Sequence, residues 1–324
     1  MGSSSSQNKP AQIAVVLAFA SIYLCWGATY TAMSIGVRLL PATILAGTRL
    51  MISACLLLAF CYFTGKKLFY SRGIMLRLGL LGLMLLFGGN VGLVWSEKYV
   101  ASGLAALIVA VTPLWVAVIE ALLPGGEQLQ RRGILGLTLG FFALLVLLWP
   151  SFHAALRPRH GAPMQIIASV VLLLGALSFS SGSVLSRRMR LPVHPLVAAG
   201  WEMMAASLAN LFFATTMWQW PQAHWNRDSI GAIGYLILFG SLLGFSCYIW
   251  LIHHVPVAKV ATYAYVNPVV AVILGMVILH ETMHPSEAIG MIAVIGAVAL
   301  VTSSQMKSGR PVAEIEVIPI ESES

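Results

Sequence analysis

Two ionisable residues, Arg49 and Glu202, lie deep inside long apolar segments of the sequence. A charge in such a segment costs about 2.5 to 3.5 kcal/mol on membrane-insertion scales, so each of the two needs a reason to be there. One reason is structural, namely a buried ion pair that fixes two helices against each other. The other is functional: Arg49 attracts a carboxylate of a bound solute, and Glu202 meets an amino group or exchanges a proton. Both interpretations stay open on the sequence alone.

Two prolines, Pro113 and Pro268, also lie inside apolar segments. Proline has no backbone N–H, so each one frees the carbonyl group four residues earlier, at Val109 and at Ala264. Nearby polar side chains either satisfy these carbonyl groups or join them in lining a solvated cavity. We expect both positions to be helix breaks with a role in gating.

Polar and aromatic side chains recur at a spacing of four residues, which places them on one face of a helix. Tyr263 and Asn267 form one such pair, Trp26 and Tyr30 form another, and Asn90 is an isolated polar residue in a third segment. Each is compatible with interhelical hydrogen bonding or with contact to a polar solute. The candidate solute-binding residues are Trp26, Tyr30, Arg49, Asn90, Glu202, Tyr263 and Asn267.

The amino-acid composition indicates the kind of protein that positions these residues. Of 324 residues, 59% are hydrophobic and 9% are charged, and the mean hydropathy is +0.87. An ordinary soluble domain has about 25% charged residues, so this composition excludes a water-soluble globule. Most of the chain must lie in lipid.

The apolar runs predict an all-α polytopic membrane protein with ten transmembrane helices. The first 10 residues and the segment 306–324 are expected to be disordered, with a linker at 150–163 between two halves, 11–149 and 164–305. The predicted spans are 11–32, 42–63, 74–95, 101–122 and 131–149, then 164–186, 195–218, 229–252, 257–279 and 286–305.

Basic residues support this count and give an orientation. With ten spans and the N-terminus inside, thirteen of the 19 Lys and Arg residues fall on the cytoplasmic side, five fall outside, and Arg49 lies within a span. This bias follows the positive-inside rule, so both termini are expected in the cytoplasm. The net charge of +8 therefore reflects membrane orientation, and nucleic-acid binding is not expected.

The two halves resemble each other weakly but in a consistent order. Residues 86–88 (Leu-Phe-Gly) recur at 238–240, and residues 46–49 align with residues 199–202, which pairs Arg49 with Glu202. Because each half has five spans, the copies must be inverted relative to each other, as in many secondary transporters. Glycines four residues apart recur as well, and they are interpreted as helix contact faces or as mobile gate packing; they are Gly88 and Gly92 in the first half and Gly240 and Gly244 in the second.

The runs SGLAALIVAVTPLWVAVIE (102–120) and AKVATYAYVNPVVAVILGMVILHE (258–281) resemble the paired halves of EamA-type proteins of the drug/metabolite transporter superfamily. The resemblance extends from Tyr23 through the tenth span. It implies ten helices, residence in the inner membrane, and export of amino acids, related metabolites or drug-like compounds. One departure concerns the first half, where the expected acidic residue appears at Glu127 after a Pro-Gly-Gly insertion.

Other functional classes lack their signatures. The sequence has no HExxH motif and no GxxxxGK[ST] loop, and its four cysteines have no metal-ligand spacing. We therefore expect no catalytic residues, no metal and no cofactor. The prediction is a secondary transporter, monomeric, with a small-molecule substrate and with the proton as a candidate coupling ion. A channel-like facilitator and a non-transporting membrane scaffold are the alternatives.

Overall fold

The computed structural model describes residues 12–124, 131–155, 162–260, 262–283 and 285–308. Within these ranges the chain forms helices and connecting turns, and no strand is present. The long helices are α1 (Gln12–Val37), α2 (Ala42–Phe63), α3 (Arg72–Ser96), α4 (Ser102–Leu122), α5 (Arg131–Ala155), α6 (Ala162–Met189), α7 (Pro195–Thr216), α8 (Arg227–His254), α9 (Tyr263–Ile278) and α10 (Pro285–Ser308). A short helix, Val257–Val260, precedes α9.

Seven of these helices are long and apolar enough to cross a membrane: α1 to α4 and α6 to α8. The apolar stretches of the remaining three are shorter, at Gly133–Ala143, Val266–Ile278 and Ala288–Leu300. The protein is therefore a multi-pass membrane protein, and the all-helical prediction is confirmed for the described residues. The count of ten spans stays a prediction.

Three boundaries around the expected linker and tail differ from those expected. Helix α5 continues past residue 149 through Ala155, and α6 begins at Ala162, so most of the expected linker is helical. A proline such as Pro150 removes only one backbone donor, and a helix can continue beyond it. Helix α10 likewise extends to Ser308, into the segment expected to be disordered. Residues 1–11 and 309–324, and Glu127 with its neighbours, lie outside the described residues.

Three long helices are internally irregular. Helices α3 and α8 each contain a π-helical segment, at Leu83–Gly88 and Leu236–Phe245. These segments coincide with the Leu-Phe-Gly repeat, so the two halves share an uncommon backbone feature at matching places. Helix α4 is interrupted by a turn at residues 110–111, just before Pro113, as its sequence predicts.

The helices of the two halves interlock. Helix α2 packs along α7, and α5 packs along α10. Helix α1 contacts α8 and α9, and the corresponding helix α6 contacts α3 and α4. Small residues allow these close approaches: a Cβ atom added at Gly82 of α3 would lie 2.3 Å from the carbonyl oxygen of Glu202 in α7. The core is therefore built between the halves and not separately within each.

The connecting turns gather at two ends of the bundle. At the end that we call the Arg38 end, the His224 N–H donates to the Leu39 carbonyl, and Arg38 and Lys98 line a common surface pocket. At the opposite end, the Arg187 end, Arg187 donates to the Val255 carbonyl. These contacts fix which loops share a face of the molecule.

Candidate functional site

A cavity of about 90 Å³ lies between the two halves. It has room for several water molecules or a small solute. Seven helices contribute to its wall, which includes Trp26, Tyr30, Arg49, Asn90, Val109, Phe179, Gly240, Ser241, Tyr263 and Asn267. Six of the seven residues proposed from the sequence to bind a solute are thus brought together, and Glu202 is not among them.

Arg49 supplies the positive charge in this cavity. Its side chain is only 3% exposed, and its Nη2 donates a hydrogen bond to Asn90 Oδ1. Its Nε atom is buried and has no partner among the described residues. Arg49 forms no ion pair with Glu202 in the part of the chain that the structure describes. A guanidinium group with spare donors beside a cavity can hold a carboxylate.

Aromatic rings close the cavity toward the Arg187 end. The Trp26 ring centroid lies 5.3 Å from that of Tyr263 and 5.1 Å from that of Tyr248. Phe179 completes this cluster, 5.2 Å from Tyr248, and the Tyr248 hydroxyl is hydrogen-bonded to Ser183 over 2.6 Å. We call these four rings the aromatic floor: Trp26, Phe179, Tyr248 and Tyr263.

The π-helical segments are tied to the opposite half by two related hydrogen bonds. The indole Nε1 of Trp26 in α1 donates to the Gly240 carbonyl in α8 over 3.0 Å. The hydroxyl of Ser178 in α6 donates to the Met84 carbonyl in α3 over 2.8 Å. Trp26 and Ser178 are 152 positions apart, the same offset that aligns the two Leu-Phe-Gly runs. Side chains at equivalent places in the two halves thus stabilise the irregular backbone beside the cavity.

The four repeated glycines lie at these contacts. A Cβ atom at Gly244 would lie 2.3 Å from Trp26 Nε1, and one at Gly240 would lie 3.1 Å from Thr29. At Gly88 it would lie 2.4 Å from the Ser178 hydroxyl oxygen, and at Gly92 it would lie 2.8 Å from Val171. The glycines therefore permit close contact between α8 and α1 and between α3 and α6.

The two proline sites differ in detail. At the α4 break, the Thr112 hydroxyl donates to the Val109 carbonyl over 2.7 Å, so the carbonyl freed by Pro113 has an internal partner. Pro268 lies inside α9, and no equivalent turn is present there. Asn267, which precedes it, lines the cavity, and its buried Oδ1 has no partner among the described residues. Only the first proline coincides with a break in its helix.

Glu202 lies apart from this cavity. It is 1% exposed and lines a separate space of about 10 Å³ with Ser186 and His253, toward the Arg187 end. The repeat alignment pairs Glu202 with Arg49, whereas in the structure the backbone of Glu202 packs on Gly82 of α3. Arg49 and Glu202 line different spaces.

A residue that the sequence analysis missed is Glu97, directly after α3. It is only 4% exposed, and neither carboxylate oxygen has a hydrogen-bond partner among the described residues. Arg49, Arg38 and Glu281 are close enough to influence its charge. Glu97 follows an apolar run and precedes Lys98, which is the pattern of an ordinary surface loop, so its burial leaves no clear mark in the sequence.

Side chains of the types that ligate metals are dispersed in the described part of the chain. No group of three or more His, Cys, Asp or Glu residues is close enough to hold a metal ion within the described ranges. Glu281, the acid expected to end the ninth span, instead accepts hydrogen bonds from the Ser102 N–H at 3.0 Å and the Ser102 hydroxyl at 2.7 Å. It thereby caps the first turn of α4.

Interlocked helices, a family domain present twice and a largely apolar cavity with a few polar side chains between the halves are typical of polytopic membrane transporters. The model of the EamA-like transporter family matches residues 12–149 and again residues 166–303. The chain belongs to this family, which confirms the resemblance noted in its sequence. It is a family of transporters and not of enzymes.

Curated relatives and a solved structure agree with this membership. The chain is 34% identical over 284 residues to the uncharacterized inner membrane transporter YedA of Escherichia coli K12, covering 87% of this chain and 88% of that protein. It is 23% identical to the uncharacterized transporter YoaV of Bacillus subtilis, covering 87% and 94%. A crystal structure with 22% identity covers 90% of this chain and 98% of its own, with a TM-score of 0.64, which supports the fold alone.

Proposed function

We propose that this protein is an inner-membrane secondary transporter that exports amino acids or related small metabolites and drug-like compounds. The observation that carries the proposal is the cavity between the two halves, with Arg49 in its wall and without an ion pair among the described residues. A solute carboxylate would bind Arg49, with Asn90 and Asn267 as polar neighbours, while its apolar part rests on the aromatic floor.

Transport would proceed by alternating access. In this proposal ten spans form two inverted halves, the Arg187 end and both termini face the cytoplasm, and one chain is the functional unit. The interlocked contacts support rocking of one half against the other, and the aromatic floor supplies a gate on the cytoplasmic side. An ion gradient, with the proton as a candidate, or the solute gradient itself would drive the cycle.

Counterflow in liposomes tests this function. Purified protein is reconstituted with an unlabelled amino acid inside, and uptake of the labelled form is followed for each member of an amino-acid panel. We expect saturable exchange for at least one carboxylate-bearing solute. Flux that does not saturate would favour the channel-like alternative, and no exchange with any member would favour the scaffold.

Arg49→Gln is the diagnostic variant in this assay. Because the guanidinium group contributes a charge-assisted bond, its loss should raise the half-saturating concentration at least about tenfold. Arg227→Gln is the matched control, since Arg227 lies at the start of α8 and outside the cavity wall. Equal exchange by the two variants would contradict a role for Arg49 in binding.

A further inference from the structure

A second buried charged group, Glu97, lies at the Arg38 end of the bundle within electrostatic range of Arg49, and the proposed function does not use it. Glu97 follows Ser96, the last residue of α3, and is buried at the negative end of the helix dipole. Its two oxygens accept no hydrogen bond from the described residues. An ionised carboxylate in this position would be stabilised only by charges at a distance, which is a costly arrangement.

The neighbouring acid, Glu281, is in the opposite situation. Its carboxylate accepts hydrogen bonds from the Ser102 N–H, the Ser102 hydroxyl and the Gly103 N–H. These three donors at the N-terminus of α4 satisfy the Glu281 carboxylate. Glu97 has no such donors among the described residues.

The charged and titratable groups around Glu97 come from several elements. Arg49 lies on α2, Arg38 follows α1, Glu281 follows α9, and Tyr30 of α1 lies within electrostatic range. Burial raises the pKa of the Glu97 carboxyl well above its usual range, Glu281 raises it further, and Arg49 and Arg38 oppose the rise. Arg49 is therefore shared between Glu97 and any anion in the cavity.

We propose that Glu97 is a proton-exchange site whose ionisation competes with an anionic solute for the positive charge of Arg49. When Glu97 is ionised, its negative charge offsets Arg49 and weakens binding of an anion. When Glu97 takes up a proton from solution, the charge of Arg49 becomes available and the anion binds. The only covalent change is the O–H bond of the Glu97 carboxyl group: one proton from solution is bound with the anion and one is released with it, so that export is driven by the solute gradient. The coupling rests on the anion-binding role proposed for Arg49.

Infrared titration of the full-length protein in detergent tests the protonation without any ligand. Wild type should show one C=O band more than Glu97→Gln, from a protonated carboxyl group that loses its proton as the pH is raised; the buried Glu202 contributes equally to both spectra. Arg49→Gln should move the midpoint of this titration to higher pH, because a positive charge near Glu97 has been removed. Glu120→Gln, which removes a carboxylate paired with Arg188 at 2.6 Å near the other end, should leave the band in place.

Binding of benzoate, followed by thermal stabilisation, tests the coupling, with uncharged benzamide as the control probe. In wild type, benzoate should bind at least about fivefold more tightly at a pH below the midpoint of the Glu97 titration than at a pH above it. In Glu97→Gln the affinity should be high at both pH values. By linkage, benzoate should also raise the midpoint of the infrared titration in wild type.

Each of the other possible outcomes contradicts a specific part of the proposals. Identical carboxyl bands in wild type and Glu97→Gln, or benzoate affinity that is independent of pH in wild type, would refute the role of Glu97 and leave the transport proposal standing. Failure of benzoate to bind any variant at any pH refutes the anion site at Arg49, and the coupling falls with it. Loss of the band in Glu120→Gln would assign the proton to a different carboxylate.

Discussion

At the scale of single residues, the cavity separates the buried charges into different roles. Arg49 lies in its wall, Glu97 lies at the Arg38 end, and Glu202 lies in a separate small space near His253. The repeat alignment identifies Arg49 and Glu202 as equivalent positions. Equivalence in sequence does not imply contact, since the two side chains line different spaces and the backbone of Glu202 packs on Gly82.

Glu202→Gln tests this separation. Since Glu202 does not reach the cavity, the half-saturating concentration in counterflow should stay within about twofold of wild type, as is usual for a substitution remote from a site. Arg49→Gln provides the comparison in the same assay. Loss of exchange by a correctly folded Glu202→Gln protein would show that Glu202 takes part in transport.

Glu97 predicts a pH dependence of stability. Its pKa is raised in the folded protein by burial, so the folded state holds the proton at pH values where the unfolded chain has lost it. The free energy of unfolding must therefore fall as pH rises from the unfolded pKa of Glu97 to the folded one. Glu97→Gln should remove this fall and raise the melting temperature at the upper end of that range. An unchanged slope in melts recorded against pH would contradict the assignment.

At the scale of helices, the sequence predicts the positions of most elements and little of their irregularity. Apolar runs and turn residues locate the helices, and Pro113 predicts the break in α4 because proline cannot donate to Val109. The π-helical segments at Leu83–Gly88 and Leu236–Phe245 could not be predicted. They depend on donors from other helices, such as Trp26 and Ser178, and a local sequence does not record those contacts.

The same reasoning explains what could be predicted of the site. Arg49, Asn90 and Asn267 are polar residues in apolar runs, so their cost in lipid marks them individually. Glu97 lies just beyond an apolar run, and an exposed charge at such a position does not carry the cost of a charge in lipid. Only the packing of α3 against its neighbours buries it, and packing of this kind is a property of the assembled bundle.

Gly244→Ala tests the contact between α8 and α1. The added methyl group would lie 2.3 Å from Trp26 Nε1, so Trp26 must move and its bond to the Gly240 carbonyl must weaken. We expect a loss of about 1 to 3 kcal/mol of stability, the usual range for overpacking, together with reduced exchange. The melting temperature in detergent and the counterflow rate measure the two effects.

Gly234→Ala is the control for this substitution. Gly234 lies in the same helix, and a Cβ atom there would meet nothing within 4 Å. Alanine favours the helix by up to about 1 kcal/mol over glycine, so this variant should be at least as stable as wild type. Equal losses at the two positions would show that α8 tolerates no substitution, and the specific contact with Trp26 would no longer be supported.

At the scale of the whole molecule, the two ends of the bundle differ in charge and in surroundings. The pocket at the Arg38 end is lined by Arg38, Lys98 and His224, whereas Arg187 and Arg188 lie at the other end. When each loop is assigned to one end of the bundle from the order of the helices, more basic residues fall at the Arg187 end than at the Arg38 end. The positive-inside rule then predicts that end to be cytoplasmic, and in this orientation an anion released at the Arg38 end would leave through a basic pocket.

Labelling of introduced cysteines tests this topology. In a variant without the four native cysteines, Gln222→Cys lies in the α7–α8 connection at the Arg38 end, and Lys66→Cys lies in the α2–α3 connection at the other. A membrane-impermeant maleimide should label the first in intact spheroplasts and the second only after permeabilisation.

Arg190→Cys and Lys307→Cys should behave like Lys66→Cys, because four spans, an even number, separate each of these positions from the next in a ten-span chain. If residues 190 and 307 were labelled from opposite sides, an odd number of crossings would lie between them. The two halves could not then be inverted copies, and the alternating-access proposal would lose its structural basis.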